Sequence, residues 1–339
     1  MFNIPLLDRI LNTILNGKRN HLLSDKLNSI ITPAILLIFA IIISSKQHIG
    51  NPINCIIPGE FRSGWENYVE NYCFLSKVYH VSPEENLPFD KNLRDARSFN
   101  FYSWIPIMLT VQSLIFCVPL MLWDHYTKNS LINYRKFLHN EKRSDILTFC
   151  LKNSAKNYKN FSITNSHYTI LFLFKKLFDI VIIYVQFEFL SLFFGFNFII
   201  YGYEALRQNS HEYFPYVNFC DVSRRTLGNP INDSIQCFFS VNLFNKIAFI
   251  SIWLWLIILL IYNLISFLYW IIILFFRNRD LFYKKYLTNS RSVDLSKLSA
   301  DMHLVILFIN SFEHPHYVSE FIDCLHNICT EMDFFEKIV

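Results

Sequence analysis

Four long apolar runs, at residues 30–45, 102–123, 177–203 and 247–276, constrain this 339-residue chain more than any other feature. A bilayer core about 30 Å thick takes about 20 mostly apolar residues per helical span. The chain is 53% apolar and 17% aromatic with only seven glycines, more apolar surface than one compact soluble core absorbs. The first two runs carry prolines, and the last two contain no Lys or Arg. The fourth is long enough to tilt or to extend beyond the bilayer. The fold class that follows is an all-α membrane protein with four transmembrane helices.

The charges between the runs set the expected topology. Between spans two and three, Lys128, Arg135, Lys136, Lys142, Arg143, Lys152, Lys156, Lys159, Lys175 and Lys176 face only Asp124, Glu141 and Asp145, so this segment is expected to be cytoplasmic. Four spans then put both termini on the same side, in agreement with the basic pairs Lys18-Arg19 and Arg277/Arg279. The stretch before span one is polar and lacks a small-residue cleavage site, so span one is expected to be its own signal anchor. The expected segments are an N-terminal cytoplasmic or pore helix at 1–28, span one at 29–45, an outside loop at 46–101 and span two at 102–123. A cytoplasmic loop at 124–176, span three at 177–203, a second outside loop at 204–246, span four at 247–276 and a cytoplasmic tail at 277–339 complete the chain. The net charge of +4 reports this topology and not nucleic-acid binding.

Drawn this way, the topology sorts the eight cysteines by compartment. Cys55 and Cys73 fall in the first outside loop and Cys220 and Cys237 in the second, where an oxidising space lets disulfides persist. Cys117 lies in a span, and Cys150, Cys324 and Cys329 are cytoplasmic, so these four are expected to be free thiols. Four loop cysteines allow three pairings, and spacing does not choose between bonds within a loop and bonds between loops.

The loops also carry recognisable wording. The first reads Pro52-Ile53-Asn54-Cys55 and then Trp65-Glu66-Asn67-Tyr68-Val69-Glu70-Asn71-Tyr72-Cys73, and span two opens Phe101-Tyr102-Ser103-Trp104-Ile105-Pro106. The second loop carries Phe214-Pro215, Cys220-Asp221, Arg225, Gly228-Asn229, Gln236-Cys237 and Asn242-Leu243-Phe244-Asn245-Lys246. From about Ser24 to Lys285 the chain resembles the innexins, with Tyr102, Trp104 and Pro106 matching the family signature at the start of span two. Phe101, Ser103, Tyr216 and Lys246 depart from the family pattern.

The resemblance implies disulfides between the loops, Cys55 with Cys237 and Cys73 with Cys220, and a cytoplasmic helical layer. It also implies an eightfold homo-oligomeric ring around a wide aqueous pore at the plasma membrane. Its expected partners are membrane lipid, further copies of itself, other innexins and the docking hemichannel of a neighbouring cell. The function so implied is a gap-junction subunit passing ions and small metabolites. An unpaired hemichannel and a four-span adhesion or scaffold protein are the alternatives, although the cysteine-pair signatures of tetraspanins and claudins are absent.

Other positions carry narrower expectations. Ile4, Leu7, Ile10, Leu11 and Leu15 recur at near-helical spacing, as in an interfacial amphipathic helix; the resemblance instead places this segment in the pore mouth. Pro106 and Pro119 are expected to kink span two, and Leu304, Val305, Leu307 and Phe308 mark a helical pattern in the tail. Glu188 lies well inside span three, where facing lipid costs a few kcal/mol, so it is expected to meet protein or water. It, Gln186 and Asn197 serve either structural hydrogen bonding or the pore.

Asn232-Asp233-Ser234 is a glycosylation sequon in the second outside loop, and the other, at Asn160, is expected to be cytoplasmic. A sugar on Asn232 would hold two hemichannels apart. His125 and His139 form no histidine box, and no zinc-protease motif, nucleophile elbow or phosphate loop occurs. No enzyme, cofactor or metal site is expected.

Overall fold

A computed structural model describes residues 22–59, 63–82, 84–128, 167–207, 213–226, 228–276 and, apart from 305, 303–308. The expectations for Phe2 to Leu15, Asn160, Cys150, Cys324 and Cys329 lie outside these residues, as do those for most of the cytoplasmic loop and the tail.

Among the described residues four helices are long and apolar enough to cross a membrane: Leu23–His48, Tyr102–Tyr126, Tyr168–Phe194 and Val241–Phe275. We label the first α1. In chain order there follow β1 (Asn54–Ile56), α2 (Ser63–Leu75), β2 (Val78–Tyr79), α3 (Lys91–Ala96) and β3 (Ser98–Phe99). Then come α4 (Ile105–Lys128), α5 (His167–Phe194), α6 (Phe198–Leu206), β4 (Val217–Thr226), β5 (Asn229–Phe238) and α7 (Val241–Ile271). The long helices leave Ile38, Ile41, Leu114, Val181, Ile258 and Ile265 exposed, the apolar exterior that lipid accepts and water does not.

The helices reach beyond their apolar runs, and one run is broken. Helix α1 begins at Leu23, and α5 begins near His167, so that Lys175 and Lys176 sit inside a helix. The run at 177–203 divides at Gly195, whose φ of 77° belongs to the left-handed region that glycine enters at little cost. Asn197 restarts the chain as the N-cap of α6, its side-chain oxygen accepting the N–H groups of Ile199 and Ile200 at 3.0 and 3.2 Å. The sequence thus places a helix-stopping glycine and a capping asparagine two residues apart.

The described residues group into two compact units. One draws on Met1–Ile30, Cys117–Ile180 and Ile261–Val339. Its core is aromatic: Phe172 meets Trp270 edge-on at 4.9 Å and Phe308 at 5.2 Å, with Trp123, Leu304 and Leu307 buried around them. The other unit draws on Ile31–Phe116 and Val181–Leu260. There Phe214 stacks on Phe249 at 5.6 Å, and Phe194 meets both edge-on.

This second unit also holds a five-stranded antiparallel sheet, in the order β1-β5-β4-β2-β3. The protein remains mostly helical, but its loops are paired by strands that the apolar runs do not announce. The β4–β5 hairpin turns at Gly228, whose φ is 94°. It buries Asn218, Cys220 and Val222 from one strand and Ile235 and Cys237 from the other, an alternation that fits a half-buried sheet.

Candidate functional site

The sheet is a cap assembled from both long loops. Cys55 on β1 stands directly opposite Cys237 on β5, and the two are bonded across the strands. Cys73, fully buried on α2, is bonded to Cys220 on β4. Each bond therefore joins one loop to the other, in the pairs the resemblance implies. Among the described residues Cys117 is the cysteine outside these two disulfides.

Polar contacts complete the cap around Asp221. One of its carboxylate oxygens accepts the Tyr79 hydroxyl at 2.9 Å and the Ser234 hydroxyl at 2.7 Å. The other lies 3.0 Å from Arg94 Nε, an ion pair without the alignment of a full hydrogen bond. One carboxylate so ties β2, α3 and β5 to β4. Burial pushes the Tyr79 phenol up to about 12, keeping it a proton donor to Asp221 at neutral pH. At the cap surface, both oxygens of Glu85 accept from Arg97 at 2.9 Å, and this pairing holds the Glu85 carboxyl below its ordinary value.

The signature residues of span two divide. Tyr102 is 1% exposed; its hydroxyl accepts from Asn242 Nδ2 at 2.9 Å, and Asn242 Nδ2 also donates to the Pro215 carbonyl at 2.6 Å. Trp104 is exposed, whereas Pro106, in the first turn of α4, lines a shallow apolar groove with Leu37, Ala40, Ile41, Ile107 and Thr110. Tyr216 stacks on Phe238 at 6.2 Å. Trp65, Tyr68 and Tyr72, at helical spacing on α2, are exposed.

Beyond Asp221 and Ser234 the hairpin has no further strand partners among the described residues. Five residue pairs, from Val222–Asp233 to Thr226–Asn229, form a two-stranded ribbon stiffened by the Arg224–Asp233 ion pair at 2.8 Å. Its length is about 17 Å at roughly 3.3 Å per residue. Asn232 lies on this ribbon, exposed and opposite Ser223.

Glu188 is exposed on α5, one turn from Tyr184. Gln186 faces the opposite way: it is 1% exposed, and among the described residues neither its oxygen nor its nitrogen has a hydrogen-bond partner. Asn197 is the cap described above. The structure thus separates three residues that sequence position groups together.

A second polar cluster, in the other unit, went unread in the sequence because Lys175 and Lys176 read as loop charge. Both are buried, as are Asp25 and Asp179. Asp25 bonds both lysines, with Lys176 at 2.8 Å, and Lys175 reaches Asp179 at 2.8 Å, one turn along α5. Lys176 also donates to Ser24 and lies 5.4 Å from the Phe172 ring centre. Removing one partner of such a buried set costs about 3–5 kcal/mol, because the other charge is left unpaired. The i,i+4 spacing of Lys175 and Asp179 was the available signal.

Four candidate spans and a cap cross-linked between two loops define a multi-pass membrane protein with a disulfide-bonded head. The sequence profile of the innexin family matches residues 23–329. The chain is 30% identical to innexin unc-9 of Caenorhabditis elegans over 78% of each protein, and 30% identical to innexin-16 of that organism over 81% of this chain and 78% of the relative. It is 28% identical to C. elegans innexin-11, spanning 75% of itself and 63% of that relative's length. The chain belongs to the innexin family.

Proposed function

We propose that this chain is a subunit of an innexin-type large-pore channel. A ring of about eight copies crosses the plasma membrane with the termini inside and the cap outside, and docks with a ring on the neighbouring cell. Ions and small metabolites pass through the gap junction so formed. Family membership supports channel work over catalysis. The observation that carries the reading is the cap itself: two bonds lock both loops into one sheet, the preorganised face that docking needs. The exposed aromatic row on α2 supports contact with neighbouring copies.

The exposed sequon on the ribbon favours a second reading, an unpaired hemichannel. A bulky hydrated sugar on Asn232 would stand off an opposing cap. Uptake of a membrane-impermeant dye by single cells expressing the chain tests the channel. Uptake is expected, and its absence with protein at the surface would leave the adhesion or scaffold reading. If the hemichannel reading holds, Asn232→Gln removes a glycosidase-sensitive gel shift and raises coupling between paired cells. Strong coupling by the fully glycosylated chain would rule that reading out.

A further inference from the structure

Helix α1 is not uniform. Between α-helical segments at Leu23–Lys26 and Thr32–His48 it opens into a π-helical turn, Leu27–Ile31. Pro33 supplies the cause: it has no N–H for the Ser29 carbonyl one α-helical turn back, and its ring crowds that oxygen. Wider turns of this kind are rare and are found frequently at functional sites. Here side chains replace what the backbone lost. The Cys117 thiol donates to the Ser29 carbonyl at 3.6 Å, and the Ser29 hydroxyl donates to the Asp25 carbonyl at 2.5 Å. Asn28, inside the turn, exchanges two amide hydrogen bonds with Asn263 of α7 at 2.8 and 3.0 Å.

Asp25 anchors the entrance to this turn through both lysines of α5. The four charges, Asp25, Lys175, Lys176 and Asp179, cancel. Buried ion pairs of this kind contribute little to stability compared with apolar packing, but they penalise any displacement of one partner heavily. That asymmetry suits a register device.

We propose that this buried polar layer is a conformational latch. Asp25 held between Lys175 and Lys176 keeps the π-turn in place and fixes the direction in which the chain enters the first span; releasing Asp25 lets the turn rearrange. Only the electrical consequence of the latch, altered gating, rests on the channel reading above.

Charge exchange tests it on the full chain in detergent. Asp25→Lys leaves three ammonium groups and one carboxylate, Lys175→Asp leaves one ammonium and three carboxylates, and the double variant restores two of each. Each single variant is expected to lose oligomer and melt earlier, and the exchange to recover most of the loss. Failure of the double variant to improve on both singles would overturn the pairing. In Asp25→Asn, which removes the charge but keeps the shape, amides at 27–31 are expected to exchange with deuterium about tenfold faster, with those at 36–48 unchanged. The voltage dependence of current should shift as well. Unchanged exchange, exchange raised along the whole helix, or normal gating despite faster exchange would each contradict a latch. A wild-type chain that carried no current would defeat the channel reading, while the exchange and rescue measurements would still decide the latch.

Discussion

Gly202 shows how closely two helices meet beneath the cap. A Cβ at this position on α6 would lie 2.1 Å from ring atoms of Trp253 on α7. Gly64, at the start of α2, has open space instead. Overpacking of a buried site costs about 1–3 kcal/mol. Gly202→Ala is therefore expected to lower the melting temperature of the purified oligomer, with Gly64→Ala neutral. Partial recovery on adding Trp253→Leu would locate the clash, and a normal melting temperature for Gly202→Ala would contradict the contact. Residues differed in how far the sequence revealed them. The four loop cysteines were legible once the spans were drawn, because compartment separates them from the rest. Lys175 and Lys176 were misread as loop charge, since a count of charges does not register burial or the pairing with Asp25. Glu188 was legible as an anomaly, and the structure leaves it exposed on α5.

Among the elements, the long helices were visible as apolar runs, but their ends were not. Polar residues extend α1 and α5 because buried ion pairs satisfy them, which hydropathy cannot foresee. The division of span three was written in Gly195 and Asn197, a signal that the surrounding apolar sequence obscures. The sheet was the least legible part. Strands β2 and β3 have only two residues each, and β2 pairs with β4 in the other loop, far away in sequence. Because each disulfide joins one loop to the other, β1 to β5 in one case and α2 to β4 in the other, each is expected to contribute about 2–4 kcal/mol to the cap. Non-reducing peptide mapping is expected to recover Cys55 with Cys237 and Cys73 with Cys220. A peptide joining Cys55 to Cys73 would contradict the assembly of the sheet.

For the whole molecule, the two polar constructions have different work. The cap turns two loops into one presented surface, and the ion-paired layer fixes how the first helix is entered. Neither is needed merely to keep four apolar helices in a bilayer. The most direct test is the junctional conductance between paired cells that express only this chain. Conductance is expected for the wild type and is expected to vanish in Cys220→Ser even when that variant reaches the surface. Coupling that survives Cys220→Ser, or no coupling by surface-expressed, deglycosylated wild-type chain, would contradict the cap as a docking head.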